Sequence, residues 1–142
     1  MWSIAKYFRA RKEARDLALL RERFPPVEFN RRFWLDGCPH AVQVNLVADY
    51  GRQWVNVKAA KPFGLRSSAW IGRGGTGKRK KQGLKRQTEK MLRAARQNKL
   101  LGRAPRVCVR FTQGVSREVA EALGAMGAEV EGEVAEAPWR EK

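Results

Sequence analysis

Apolar residues first recur at every second position and later at every third or fourth, and this change of period limits the folds open to the chain. Over residues 42–47 and 54–59 they alternate with polar residues, which predicts two half-buried strands. A tight turn at residues 50–51 joins them into a hairpin in which Val47 pairs with Trp54. We expect one apolar hairpin face and one polar face, with Trp54 on the polar face.

After the hairpin, the pattern predicts a helix, a strand and a second helix. The first helix runs from near Gly83 to about Asn98, because apolar residues form one stripe there and basic residues occupy the remaining arc. Residues 107–111 are β-branched or aromatic and predict a strand in the sheet interior. The second helix begins after Ser116, a good N-cap, and ends at Gly127, which suits a left-handed C-cap.

A last strand is predicted at residues 129–134, where alternating acids are expected to face water. This order of elements predicts an α/β fold in a single domain, with a mixed sheet built from the β-hairpin followed by helix, strand, helix and strand. An N-terminal basic helix is also predicted, since neither Gly nor Pro interrupts residues 3–24. The predicted divisions are a basic helix or arm at residues 1–32, the α/β domain at residues 33–137 and a tail at residues 138–142.

Positive charge is concentrated in one block of the sequence, residues 78–106. The chain has a formal net charge of +16, and this block holds twelve Lys or Arg residues and one acid, Glu89, so it contributes 12 − 1 = 11 of the excess charges. A concentrated cation field favours a polyanion, because Lys and Arg release condensed counterions when they neutralise phosphates. The apolar fraction of 43% indicates that a folded body carries this charge.

The predicted partner is nucleic acid, and RNA is favoured over DNA. Contacts are expected from cations of the glycine-rich stretch at residues 70–77 and of the basic block behind it, with tryptophans stacking on bases. Sequence selectivity should be modest, because phosphate contacts carry no sequence information. The predicted cations are Arg73, Lys78, Arg79, Lys80, Lys81, Lys85, Arg86 and Arg93, and the candidate stacking residues are Trp70 and Trp54.

Enzymatic readings of the sequence are weaker. Residues 72–78 fit most of the P-loop pattern, but Arg79 stands where a Ser or Thr would ligate magnesium, so nucleotide hydrolysis is not predicted. Asp49, Asn56 and Lys58 can be compared with a nuclease arrangement of two acids and a lysine around a metal, although Asn56 is neutral and a weak ligand. A degenerate metal-dependent nuclease-like domain is therefore an alternative.

No cofactor and no metal site are predicted. The chain has two cysteines far apart and a single histidine, which cannot assemble a zinc site or a catalytic triad. No apolar run is long enough to span a membrane, so no membrane partner is expected. The basic residues 78–81 favour the nucleus or cytoplasm. The Arg-rich N-terminus leaves the mitochondrion as an alternative, together with a structural role in a large ribonucleoprotein such as a mitochondrial ribosome.

Three segments resemble a known family in their order and spacing. They are Val44-Asn45-Leu46-Val47-Ala48-Asp49-x-Gly51-x-x-Trp54-Val55-x-Val57, Trp70-Ile71-Gly72-Arg73-Gly74-x-x-Gly77 and Val115-Ser116-x-x-x-Ala120-x-x-Leu123-x-x-Met126-Gly127-x-x-Val130-x-Gly132. With these segments the chain resembles the N-terminal α/β domain of an uncharacterised eukaryotic family whose members carry a PIN-like, nuclease-related domain behind it. The resemblance covers roughly residues 40–136.

The resemblance implies the fold and structural roles for six residues, but it does not imply an enzyme here. The sequence ends at Lys142, and the acidic metal-binding residues of a PIN-like domain are not among its residues. A separate PIN-like chain is therefore left open as a partner. The residues given structural roles by the resemblance are Trp54, Trp70, Gly72, Arg73, Gly74 and Gly77.

Overall fold

The computed structural model describes Arg15, residues 27–74 and residues 81–136. The predicted N-terminal helix and C-terminal tail lie outside these residues, except for Arg15, which is helical. In chain order the strands and helices are β1 (Glu28–Leu35), β2 (Cys38–Ala48), β3 (Gln53–Lys58), α1 (Ser68–Ile71), β4 (Gly72–Arg73), β5 (Lys81–Gln82), α2 (Leu84–Gln97), β6 (Arg106–Phe111), β7 (Val115–Ser116), α3 (Arg117–Met126), β8 (Glu129–Glu131) and β9 (Val134–Ala135).

The main sheet has five strands in the order β1-β2-β3-β6-β8. The first three strands pair antiparallel, whereas β3, β6 and β8 are parallel. Helices α2 and α3 precede and follow β6, as expected for crossover connections between parallel strands. The predicted α/β fold with a mixed sheet is confirmed.

Both long helices begin and end where the sequence predicts. Gly83 is the N-cap of α2 and Asn98 is its C-cap. The Ser116 hydroxyl accepts a hydrogen bond from the Val119 backbone N–H at 3.3 Å, and Gly127 ends α3 in a left-handed conformation with φ of 103°. Local capping chemistry therefore fixes both ends of α3, and the apolar stripes of both helices fix how they pack on the sheet.

Strand β1 was not predicted, and it lies partly within the segment assigned to an N-terminal arm. Glu28 pairs with Val47 and Phe33 pairs with Val42, so the sheet begins before residue 33. The sequence of β1 shows no clear alternation, and Asn30 interrupts it with a positive φ of 52°. Pairing with β2, rather than local pattern, makes this segment a strand.

The hairpin of β2 and β3 has the predicted register but not the predicted faces. Val47 pairs with Trp54, as expected. Trp54, however, is only 1% exposed and stacks on Phe33 with ring centroids 3.9 Å apart, so its face lies in the main core beneath the helices. Val55 and Val57 are buried on the opposite face. The expectation of a polar Trp54 face is wrong, because interior strands of α/β sheets are covered on both faces.

The last predicted strand is divided into two. Gly132 has a φ of 141°, and a Cβ there would lie 2.8 Å from the Phe111 carbonyl oxygen, so the chain turns at this residue. Strand β8 remains in the main sheet and β9 pairs with β7. Glu129 is exposed as predicted, whereas Glu131 is half-buried and pairs with Arg110 at 3.6 Å.

Candidate nucleic-acid interface

The base of the glycine-rich loop is a short hairpin held firmly against the two helices that flank it. Gly72 pairs with Gln82, and Arg73 pairs with Lys81. Gly83 then packs so closely that a Cβ there would lie 2.1 Å from the Trp70 carbonyl oxygen. This antiparallel arrangement follows a helix, unlike the strand, loop and helix of a P-loop. The hairpin base holds the exposed Arg73 beside the start of α2.

The predicted cations fall into two groups. Residues 78–80, with Lys78, Arg79 and Lys80, lie outside the described residues, and of Lys81 only the backbone is described. Arg73, Lys85, Arg86 and Arg93 are all exposed. The last three lie on α2, so the predicted site can be judged on that helix.

Helix α2 presents a basic face to solvent over its whole length, about 21 Å at 1.5 Å per residue. One side, with Leu84, Thr88 and Met91, is buried against the sheet. The opposite arc carries five cations and one acid, Glu89, and we name it the α2 basic face. Its cations are Lys85, Arg86, Lys90, Arg93 and Arg96.

Arg93 differs from the other cations of the α2 basic face. Its guanidinium donates a hydrogen bond to the Asp36 carboxylate. The backbone N–H of Asp36 in turn donates to Gln97 Oε1 at 2.6 Å. Arg93 therefore attaches the turn between β1 and β2 to α2. Its predicted contact with phosphate stays a prediction. Within the described ranges, the four other cations of the face form no salt bridge.

The prediction that Trp54 or Trp70 offers a stacking surface is wrong. Their side chains are 1% and 5% exposed, respectively, and both belong to the main core. A base cannot reach a ring face that is packed between the sheet and the helices. The described aromatic side chains with the greatest exposure are instead Trp34, at 56%, and Tyr50, at 73%.

The three residues of the nuclease comparison are not brought together. Lys58 Nζ donates to Gln87 Oε1 at 2.9 Å, and Asn56 lines a cleft of about 180 Å³ beside the same glutamine. Asp49 lies in the turn that precedes β3. A strand rise of about 3.3 Å per residue places Lys58 roughly 16 Å beyond Gln53, at the far end of β3. The prediction of a shared site for Asp49, Asn56 and Lys58 is corrected accordingly.

A second group of exposed cations lies at the end of the sheet where β3 and β6 begin. Three of them, Lys99, Arg103 and Arg106, belong to the basic block of residues 78–106, but none was among the predicted contacts. Two clefts meet there at Leu100, one of about 440 Å³ and one of about 310 Å³. We give the name turn-end surface to seven exposed residues that line these clefts, together with Tyr50, which lies between the lining residues Asp49 and Gly51. It consists of Trp34, Tyr50, Arg52, Lys99, Leu100, Leu101, Arg103 and Arg106, which are all exposed.

The turn-end surface is continuous with the α2 basic face. The side chain of Asn98, the C-cap of α2, donates to the Trp34 carbonyl oxygen at 3.1 Å, and the chain then continues directly into Lys99 and Leu100. Arg106 approaches Glu129 at 3.9 Å, and Asp49 lies at the rim. A positively charged surface therefore extends from Arg73, along α2, to the opposite end of the sheet.

One protein family matches residues 35–140, which are 106 of the 142 residues. It is described as a family of unknown function, DUF5614. The chain belongs to the DUF5614 family. Comparison with curated proteins gives no match, and comparison with solved structures gives none either. The matched range of the DUF5614 family includes Arg73, helix α2 and the turn-end surface except Trp34, which precedes the range.

Membership of DUF5614 confirms the predicted resemblance to an uncharacterised family. The eukaryotic origin, the PIN-like partner and the ribonucleoprotein role stay predictions, because the family description gives no function. In the part of the DUF5614 chain that the structure describes, no three His, Cys, Asp or Glu side chains cluster so as to hold a metal ion. Among the same residues, no helix combines the length and apolarity needed to cross a membrane.

Proposed function

We propose that this chain is an RNA-binding module whose α2 basic face contacts phosphates. The observation that supports the proposal is the set of four cations on this face that lack a carboxylate partner among the described residues. They are Lys85, Arg86, Lys90 and Arg96. Side chains arranged in this way can neutralise successive phosphates and release their counterions, which is the main source of affinity in sequence-independent binding.

The start of α2 strengthens the site. Gly83 caps the helix without a side-chain hydrogen bond, and the exposed Arg73 stands on the adjacent hairpin. The first backbone N–H groups of a helix carry partial positive charge and favour anions. A strand that follows α2 would therefore meet positive charge from the side chains and, at its first turn, from the backbone.

The test is the salt dependence of RNA binding. With about six to eight phosphates engaged on a single strand, the logarithm of the association constant should fall with the logarithm of salt concentration at a slope of about 4 to 6. The double variant Arg86→Gln with Lys90→Gln should lower this slope by about 1.4, because each lost contact on single-stranded nucleic acid removes about 0.7.

The matched control removes two charges from another part of the molecule. Arg66 precedes α1, and Arg117 lies on α3, where its guanidinium pairs with Glu136. The variant Arg66→Gln with Arg117→Gln has the same net charge as the α2 variant and should keep the parental slope. If both variants reduce the slope equally, overall charge rather than the α2 basic face governs binding. A slope near zero in the parental protein would reject RNA binding through phosphates.

A further inference from the structure

Two loop tips on the turn-end surface break local backbone preferences. At the tip between β2 and β3, Asp49 and Tyr50 have positive φ of 51° and 56°. At the other tip, Leu101 has a φ of 51° and precedes Gly102, in a turn closed by hydrogen bonds between the backbones of Leu100 and Arg103. Left-handed conformations are uncommon for residues other than Gly, Asn and Asp, and they are costly for large side chains.

Both strained positions expose a large apolar side chain. Tyr50 is 73% exposed and Leu101 is 94% exposed. A turn with two positive φ values in its centre strongly prefers Asn-Gly, which would be polar and unstrained. The chain instead has Leu101-Gly102. This choice breaks both the backbone preference of the turn and the tendency of large apolar side chains to avoid solvent. Violations of this kind are characteristic of functional positions.

The surroundings of the two tips indicate the class of ligand. Arg52, Lys99 and Arg103 are exposed beside them and form no salt bridge within the described part of the chain. Trp34 lines the cleft of about 310 Å³, a volume at the lower end of the range of small-molecule sites. Aromatic side chains between Lys and Arg match a nucleic-acid strand, in which base rings alternate with phosphates along the chain.

We propose that the turn-end surface binds the unpaired bases of a single-stranded RNA whose backbone lies along the α2 basic face. Tyr50 and Trp34 stack on bases, Leu101 inserts beside them, and the cations hold the adjacent phosphates. Base faces are accessible in a single strand but are covered by neighbouring bases in a duplex. The surface therefore selects single strands over duplexes. This inference rests on the proposed function and adds to it that the bound RNA is single-stranded.

The test uses variants that remove apolar contact while relieving backbone strain. Tyr50→Asn and Leu101→Asn each introduce a residue that tolerates positive φ, so the thermal midpoint should stay the same or rise. The affinity of Tyr50→Asn for a single-stranded RNA of about 12 nucleotides should fall by about 5-fold to 150-fold, the range for loss of one base-stacking contact. Tyr50→Phe keeps the ring and should bind like the parent.

Three further measurements separate this inference from the proposed function. The salt slope of Tyr50→Asn should equal the parental slope, because no charge changes. A duplex of the same sequence should bind more weakly than the single strand and should not distinguish Tyr50→Asn from the parent. Leu65→Asn changes an exposed leucine away from this surface and should leave affinity unchanged.

Two results would overturn the inference while leaving the proposed function intact. The first is duplex RNA that binds as tightly as the single strand with the expected salt slope. The second is unchanged single-strand affinity in both Tyr50→Asn and Leu101→Asn, which is also the outcome expected if these tips contact a protein. If the parental protein shows no salt-dependent RNA binding, the proposed function fails as well, so the two failures are distinguishable.

Discussion

At the scale of single residues, Cys108 is the buried group with the clearest electrostatic consequence. Its thiol lies in the small apolar cluster on the face of the sheet opposite the main core. Burial raises the pKa of Cys108 from 9.0 to about 12, and the carboxylates of Glu131 and Glu129 add to this shift. The folded protein therefore retains the thiol proton more strongly than the unfolded chain does.

This pKa difference predicts a loss of stability at alkaline pH. Well below pH 9.0 the thiol is protonated in both states, and its full contribution to the free energy of unfolding is present. As the pH rises from there toward about 12, the unfolded chain releases the proton while the folded protein keeps it, so the free energy of unfolding falls by about 1.4 kcal/mol per pH unit. Denaturant unfolding at a series of pH values should show this decline. The variant Cys108→Ala should lack the part of the decline that the Cys108 thiol causes.

The comparison with a second cysteine variant isolates the effect. Cys38 is exposed in β2, and Cys38→Ala retains the buried thiol, so its alkaline decline should match that of the parent. The free energy difference between the parent and Cys108→Ala should shrink as the pH rises, whereas a cavity alone would leave it constant. Parallel pH profiles for the parent and Cys108→Ala would contradict the assigned pKa.

At the scale of elements, the parts predicted correctly from sequence are those with local causes. The extent of α2 follows from its apolar stripe, and the ends of α3 follow from the caps Ser116 and Gly127, which act within a few residues. Strand β1 could not be predicted, because its pairing partner β2 determines it. The face of Trp54 was predicted wrongly for a similar reason, since the parallel pairing of β3 with β6 brings in the helices that cover it.

The junction between β5 and α2 is an element boundary with a steric cause. It predicts that replacing glycine by alanine lowers the thermal midpoint at this junction and raises it at a glycine with free space around it. A Cβ at Gly83 would lie 2.1 Å from the Trp70 carbonyl oxygen and 2.3 Å from the Gly72 nitrogen. These are backbone atoms that cannot move alone, so Gly83→Ala should destabilise the protein by at least the roughly 1–3 kcal/mol typical of overpacking. Its thermal midpoint should fall below that of the parent.

The same substitution at Gly124 should act in the opposite direction. Gly124 lies within α3, and nothing lies within 4 Å of a Cβ placed there. Alanine is favoured over glycine in a helix interior by about 0.5–1 kcal/mol, so Gly124→Ala should raise the thermal midpoint. If the two variants change the midpoint equally, the close contact at Gly83 does not hold the base of the glycine-rich hairpin.

At the scale of the whole molecule, the charged surface could be predicted only in part. The α2 basic face was accessible from sequence because one helix carries it. The turn-end surface was not, since Trp34, Tyr50 and Leu101 come from three segments that only the folded sheet brings together. No local signal marks these residues, although Leu101-Gly102, a leucine where a turn prefers asparagine, is an irregularity that the sequence already contains.

The whole molecule also carries far more positive than negative charge, which predicts how its stability responds to salt. The net charge is +16, and the described residues form five salt bridges, most of them exposed, each worth about 0–1 kcal/mol. Repulsion among cations should outweigh these attractions. Screening should therefore raise the thermal midpoint as salt increases from about 0.01 M to about 0.15 M, where the Debye length falls from about 30 Å to about 8 Å.

Two controls separate screening from the binding of a particular anion. Chloride and acetate at equal ionic strength should raise the midpoint equally, because screening depends on ionic strength alone. The variant Arg86→Gln with Lys90→Gln lowers the net charge from +16 to 16 − 2 = +14 within the densest basic segment, so its midpoint should rise less with salt than that of the parent. A midpoint that falls with salt would mean that the ion pairs, and not the repulsion between cations, dominate the electrostatics of this fold.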